Sequence, residues 1–418
     1  MTEFFDALET RCQSDREAAL MVALPMQIAH AQKYTAAFAG ILQGVDAQNV
    51  NTRAALAKLP VLRKHELLER QQAQREQDPF GGFSAVGWTG LRVSKGARRV
   101  FQSPGTIYEP EGPANDHTRS ARAMHAAGFR AGDLVHNSFS YHLTPAGAMM
   151  EGGAHALGCT VFAGGIGNTE LQLQAMRELH PHAYVGTPSF LKILLEKAGD
   201  DGLPSMTKAL VSGEAFPPSL RDWMHERGVQ GYQCYATADV GLIAYETSAR
   251  SGLVLDEAVL LEIVRPGTGE VLPDGEVGEV VVTSFNPDYP LIRFGTGDLS
   301  AIMPGDCPTG RTNSRIKGWL GRADQTAKVR GMFVHPSQIA QVIRPFKTAR
   351  KARLIIEGAM ASDRMTLKVE VSETLEGLAG QIAQTLRDVT KLRGEVELLP
   401  LNSLANDGKV IEDARSLE

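Results

Sequence analysis

The chain has 418 residues, 43% hydrophobic and 22% charged, with a formal net charge of −5 spread over both signs. That length accommodates two or three domains, and the charge balance excludes a nucleic-acid footprint. The opening stretch MTEFFDALET lacks the basic and apolar regions of a secretory signal, no apolar run reaches a membrane span, and Cys12, Cys159, Cys234 and Cys307 show no paired spacing, so a reducing cytoplasm is expected, with neither a disulfide framework nor a zinc pattern.

Residues 1–80 read as a helical lead. In DREAALMVALPMQIAHAQKYTAAFAGILQ apolar residues recur at helical spacing, with one break expected at Pro25. LAKLPVLRKHELLERQQAQ follows, where Pro60 opens an extended piece ahead of another helix. From about Val86 onward strands and helices alternate. DLVHNSF, CTVFAGG, HAYVGT and KALVSG are strands; AGAMMEGGAHALG, TELQLQAMRELH and PSFLKILLEKAG are helices, the last opened by Pro188 and closed by Gly199. Alternation of this kind implies a parallel sheet with helices on its faces. Between about 253 and 305 the pattern becomes β-rich, with PGTG and PDG turns that imply antiparallel pairing. The remainder alternates short strands and two helices. The fold class is therefore α/β. A large N-terminal domain over 1–322 has parallel and mixed sheets flanked by helices plus an antiparallel subdomain, and a small α+β domain spans 323–418.

Five stretches carry chemistry, and each has a plain alternative. RVFQSPGTIYEPEG contains Ser103, Gly105 and Thr106 in a phosphate-loop outline, where backbone N–H groups and hydroxyls would meet anionic oxygens; it also reads as a simple Ser-Pro-Gly turn. QCYATADVG ends a strand with Tyr235 and Asp239, either a nucleotide or Mg²⁺ contact or a core tyrosine with a turn acid. YPLIRFGTGDLS sets Asp298 after a Gly turn, placed to accept two ribose hydroxyls or to close an ordinary β-turn. GRADQTAKVRG is a hinge or a linker. LNSLANDGKVIED puts Lys409 behind a glycine turn, in a reactive or a solvated position.

The order and separation of these stretches resemble the adenylate-forming enzymes, and within them phenylacetate-CoA ligases. The resemblance also covers LAKLPVLRKHELL, GGAHALGCTVFAGGIGNTELQLQAMRELHPHAYVGTPSFL, VSGEAFPPSLRDWM, PGTGEVLPDGEVGEVVVT and GRADQTAKVRGMFVHPSQI, nearly the whole chain. It implies that an acid and ATP form an acyl-adenylate and pyrophosphate, after which the small C-terminal domain rotates and CoA attacks to give a thioester. It implies ATP/AMP, Mg²⁺ and CoA as cofactors, an aromatic carboxylic acid as substrate, no nucleic-acid or membrane partner, and a homodimer. Carried over by position, Ser103, Gly105 and Thr106 match the phosphate loop; Gly213, Glu214 and Ala215 match the segment flanking adenine and acid. Tyr235 matches the adenine-stacking aromatic, and Asp239 stands in place of the Mg²⁺-associated Glu. Asp298 matches the ribose acid, Arg322 the nucleotide-contacting Arg, Asp324 the hinge and Gly331 the thioester-step segment. Lys409 matches the Lys that contacts the carboxylate and α-phosphate, and Tyr141 falls in the aryl-acid pocket.

The departures cluster on the phosphate side. Pro104, Ile107, Tyr108 and Glu109 replace hydroxyl residues, a glycine and a lysine; Ala238 replaces a Thr or Ser; Gly295 stands where an Arg usually precedes Thr-Gly-Asp. A charge on Glu109 about 6 Å from a phosphate charge, at an effective dielectric near 20, repels it by roughly 3 kcal/mol. On that basis Glu109→Lys is expected to lower the KM for ATP. Three readings follow: an acid–CoA ligase with a remodelled ATP site, a relative that binds acid, AMP or a partner without turnover, and an acyl transferase that needs no ATP.

Overall fold

The computed structural model describes residues 3–87, 95–199, 202–323, 327–330, 332–334, 336–358, 363–405 and 409–415. Its contacts fall into two units, Met1–Gly321 and Arg322–Glu418.

The lead forms helices over Gln13–Tyr34 and Ala36–Ile41. Pro25 does not break the first of them, contrary to the sequence reading. One proline removes a single backbone hydrogen bond, and the stripe of Leu20, Leu24, Ile28 and Ala31 is buried against the core and holds the helix through that point. The break falls at Thr35. Its backbone is extended, its hydroxyl donates to the Ala31 carbonyl at 2.7 Å, and the same oxygen accepts from the Phe38 N–H at 3.4 Å. One threonine thus ends a helix and caps the next.

A nine-stranded sheet runs in the order Ile302–Met303, Arg315–Ile316, Leu253–Leu255, Gly241–Glu246, Gln230–Thr237, Lys208–Val211, Ala183–Gly186, Leu134–Asn137 and Thr160–Ala163. The final five strands are parallel to one another, and helices Ala146–Ala156, Thr169–Leu179, Pro188–Ala198 and Pro218–His225 connect them. This is the crossover arrangement that parallel pairing demands. Pro188 opens its helix and Gly199, at φ +67°, closes it. A second sheet has the order Leu62–Arg63, Phe294–Ser300, Gly278–Ser284 and Val259–Val264. Its outer strand Leu62–Arg63 pairs in parallel, the rest antiparallel. Leu253–Leu255, read together with this β-rich region, instead joins the nine-stranded sheet.

Unit Arg322–Glu418 has its own four-stranded sheet, Glu395–Leu399, Arg364–Val371, Ala349–Glu357 and Ile411–Asp413, with helices Pro336–Ile343 and Leu378–Thr390. Leu354, Ile356, Leu367, Val369, Ile382 and Leu386 form its core. No helix among the described residues is long and apolar enough to cross a membrane.

Arg293 lies at the root of the Phe294–Ser300 strand with 0% of its surface exposed. Its guanidinium donates to Glu262 at 2.9 Å and to the carbonyls of Ala57 at 2.8 Å, Gly269 at 3.0 Å and Leu59. Truncating one member of such a pair leaves a buried charge without a counter-charge. Arg293→Met is expected to cost about 3–5 kcal/mol in urea unfolding, and Arg293→Met combined with Glu262→Leu to recover most of it.

Candidate active site

In open α/β sheets ligands bind beyond the carboxyl ends of the strands. Three of the five parallel strands deliver sequence-singled residues to that edge, and a fourth delivers a backbone partner for one of them. Leu134–Asn137 leads to Tyr141, whose hydroxyl accepts from Asn137 Nδ2 at 2.8 Å; burial, then a hydrogen bond to Glu151, pushes its phenol upward. Ala183–Gly186 leads into Ser189, whose N–H donates to Glu214 Oε2 at 3.4 Å. Lys208–Val211 leads to Ser212, Gly213, Glu214 and Ala215. Gly213 turns the chain at φ +82°, and Ser212 Oγ donates to the Cys234 carbonyl at 2.8 Å, tying neighbouring strand ends together. Gln230–Thr237 carries Tyr235 and leads to Asp239. Its pairing shifts register between Tyr235 and Ala236, a bulge of the kind that re-aims a side chain at a site.

Tyr235 and Asp298 meet, although they come from different sheets. The Tyr235 hydroxyl lies 2.8 Å from Asp298 Oδ2 and 3.0 Å from Thr296 Oγ1. The Thr296 hydroxyl donates to the Val280 carbonyl at 3.1 Å, so it accepts from tyrosine rather than donating. Trp319 Nε1 donates to Asp298 Oδ1 at 3.0 Å. Trp319 lies two residues ahead of GRADQTAKVRG, and nothing local to that stretch of sequence marks its indole as a partner of Asp298.

The phosphate-loop match is a tight hairpin. Strand Arg99–Ser103 pairs with Ile107–Glu111 across Pro104, Gly105 and Thr106. Gly105 has φ +98° and Thr106 φ +63°, and the Thr106 N–H donates to the Ser103 carbonyl at 3.1 Å. Gln71 clamps the Tyr108 backbone from both sides, accepting from its N–H and donating to its carbonyl at 2.8 Å each. Arg75 donates to the Thr106 carbonyl at 2.8 Å and lies over the Tyr108 ring.

Glu109 differs from the expectation built on its charge. It is 2% exposed, and Ser103 Oγ donates to its Oε1 at 2.5 Å. Burial, then the negative charge of Asp239, pushes its carboxyl up to about 8. At neutral pH this favours the protonated form, which weakens the repulsion described above. Ser103 turns its hydroxyl inward to Glu109 rather than outward. A lysine at 109 would enter a closed interior, so Glu109→Lys is not the repair that the sequence suggested.

A cation reaches Asp239 from a distant stretch of the chain. Lys64, the first residue of helix Lys64–Gln74, donates to Asp239 Oδ2 at 2.8 Å across 175 residues of chain. It lies inside the quoted block LAKLPVLRKHELL, but only the folded chain brings it to Asp239. Asp239 Oδ1 and Glu109 Oε2 are buried with no hydrogen-bond partner among the described residues, and both side chains line one recess with Asn115, His117 and Tyr289. Among the described residues no three His, Cys, Asp or Glu side chains converge as metal ligands. Mg²⁺ commonly uses only one or two carboxylates together with substrate phosphates, so the free Asp239 oxygen fits that ion.

Arg322 and Lys409 belong to the second unit. The Lys409 carbonyl accepts from Arg353 Nε at 3.1 Å just before strand Ile411–Asp413, which fixes its backbone to that sheet. Asp324 and Gly331 lie outside the described residues.

Residues 118–286 match the family of AMP-binding enzymes, and residues 331–413 match that of AMP-binding enzyme C-terminal domains. A phenylacetate-coenzyme A ligase of Aromatoleum evansii is 29% identical over 382 residues, covering 88% of this chain and 84% of that protein. One from Pseudomonas putida is 30% identical over 309 residues, covering 70% and 66%. The structure of 2-hydroxyisobutyryl-CoA ligase with 2-HIB-AMP and CoA superimposes with a TM-score of 0.83 at 23% identity, covering 100% of this chain and 93% of that one. An amide bond synthetase from Marinactinospora thermotolerans gives 0.56 at 16% identity, covering 94% and 93%. The chain belongs to the AMP-binding, adenylate-forming enzymes and is similar, within them, to the AMP-forming acid–CoA ligases.

Proposed function

We propose that the protein is an AMP-forming acid–CoA ligase for an aryl, phenylacetate-like acid. The observation that carries this reading is the meeting of Tyr235 and Asp298 at the strand-end edge. In it Tyr235 stacks on adenine, Asp298 accepts the ribose hydroxyls, and Gly213, Glu214 and Ala215 flank the adenine and acid pockets. Tyr141 lines the acid pocket, Ser103, Gly105 and Thr106 face the phosphates through their backbone, and Arg322 contacts nucleotide. A carboxylate oxygen of the acid attacks the α-phosphorus, and the P–O bond to pyrophosphate breaks. Lys409 offsets the charge that gathers at that phosphorus. Asp239 Oδ1 would hold Mg²⁺, which neutralises part of the triphosphate charge. Rotation at Asp324 then brings the segment of Gly331 forward. The sulfur of CoA attacks the acyl carbonyl carbon, AMP departs with the bonding pair, and the thiol proton passes to solvent. A cytoplasmic homodimer accompanies this reading.

A second reading keeps AMP and acid binding without ATP turnover. The hairpin favours it, since its serine is turned inward and it carries no lysine.

Purified protein with ATP, Mg²⁺ and a panel of aryl and aliphatic acids is expected to release pyrophosphate, and hydroxylamine to trap a hydroxamate. Tight AMP binding with no pyrophosphate from any acid would establish the second reading instead.

Lys64→Met is expected to lower adenylation about tenfold or more at fixed ATP, because a charged contact is lost. Thioester formation from a supplied acyl-adenylate, which has no β- or γ-phosphate, should be unaffected. Equal loss in both steps would limit Lys64 to supporting Asp239.

Glu109 yields a pH dependence. Its folded value of about 8 lies above its ordinary 4.5, so its contribution to stability is fully present below pH 4.5 and is lost as pH rises through 8. Glu109→Gln should therefore melt higher than the parent at pH 9, with the gap shrinking toward pH 6. A gap that widens on acidification would contradict the burial of this carboxyl.

A further inference from the structure

Helix Gln13–Tyr34 is apolar on both of its faces. The inner face buries Leu20, Leu24 and Ile28 in the core of the first unit. A surface helix ordinarily turns charged and polar residues outward, yet no Asp, Glu, Lys or Arg stands between Glu17 and Lys33. Val22, 70% exposed, and Met26, 68% exposed, are the two most exposed large apolar side chains among the described residues.

Seven residues make nearly two helical turns, so residues seven apart share one row along the surface. Asp15, Val22 and Ala29 form one row on the outward face, and Ala19, Met26 and Lys33 form the next. Ala29 is half-buried and the other five are exposed. Each row carries one charge, and the two charges lie at opposite ends of the helix: Asp15 in its first turn, Lys33 in its last. Glu17, the other acid of this helix, is committed to its own chain, with an oxygen on each of two Arg53 nitrogens at 2.8 Å.

Reversed, this pattern is complementary to itself. Set a second copy of the helix antiparallel, with Val22 against Met26. The same alignment brings Asp15 to Lys33 and Ala19 to Ala29, and a two-fold axis repeats every pairing. The alanines admit close approach of the two backbones. Parallel alignment would instead put Asp15 on Asp15 and Lys33 on Lys33. A membrane surface fits less well, because interfacial helices are rich in Lys and Arg beside the apolar face, whereas this face ends in one acid and one lysine.

We propose that the outward face of helix Gln13–Tyr34 is a self-docking surface. A second copy of this chain packs on it antiparallel about a two-fold axis, with Val22 and Met26 at the centre and Asp15–Lys33 ion pairs at both ends. From residue 15 to residue 33 the helix rises about 27 Å, and at a width of about 10 Å the strip covers roughly 270 Å² in projection, a small interface. The dimer is therefore dissociable, with a Kd on the order of 10 µM.

Sedimentation velocity of the full chain from about 1 to about 200 µM tests the proposal. The parent should pass from monomer to dimer across this range. Met26→Glu and Val22→Glu each place two carboxylates beside the axis and should weaken the dimer at least about tenfold. Both positions face solvent, so the melting temperature of the monomer should not move. Asp15→Lys or Lys33→Asp alone turns two attractive contacts into repulsive ones and should weaken the dimer about fivefold. The two changes combined should return it to within about twofold of the parent. A parent that stays monomeric throughout would overturn the proposal, including one that pellets instead with vesicles of phosphatidylcholine and phosphatidylglycerol. So would a dimer that survives Met26→Glu and Val22→Glu, or a charge exchange that fails to rescue. Pyrophosphate release by a monomeric parent would remove this inference and leave the ligase reading standing; a dimer that releases none with any acid would do the reverse.

Discussion

A buried guanidinium organises the first unit. Arg293 ties Glu262 in the antiparallel sheet to the carbonyls of Ala57 and Leu59, the residues just ahead of the Leu62–Arg63 strand. With that segment fixed, Leu62 pairs with Phe294 and Arg63 with Gly295. The next residue is Lys64, which reaches Asp239; five residues beyond Arg293 along the other strand is Asp298, which reaches Tyr235. One charge inside the protein thus sets the approach of a cation and of an acceptor to the end of the parallel sheet. Such a cation is tolerable only because its donors are matched by one carboxylate and several carbonyls.

Much of this architecture was legible because it follows from short-range chemistry. Alternating strands and amphipathic helices marked the parallel sheet, and Pro188 and Gly199 marked the ends of a helix; Asp298 stood out behind Gly-Thr-Gly, though that run is part of the strand Phe294–Ser300 and not the turn it resembles. What was not legible depends on distant contacts. Pro25 reads as a break, yet tertiary packing of the Leu24 and Ile28 face outweighs one missing hydrogen bond. Lys64 and Trp319 carry no local mark; each becomes significant only through a partner brought near by the fold. Glu109 was read as a charge because sequence shows a carboxyl group but not its burial.

The phosphate side therefore has a different electrostatic design from a lysine-bearing loop. Here burial favours the protonated form of the loop acid, and Asp239 has a lysine on one oxygen and, among the described residues, no hydrogen-bond partner on the other. The charges gathered here come from three separate stretches of chain, and the local loop sequence shows Glu109 but not the lysine that the fold brings to Asp239.

Helix Lys64–Gln74 makes these stretches interdependent. Lys64 holds Asp239, Gln71 grips the Tyr108 backbone and Arg75, just past the helix, holds the Thr106 carbonyl. At about 1.5 Å of rise per residue these three contacts are strung along roughly 16 Å of one rod. Gln71 and Arg75 both hold Tyr108, so energies measured for those two one at a time will not sum to the effect of changing them together, whereas Lys64, about 10 Å further along with a partner of its own, will add to them.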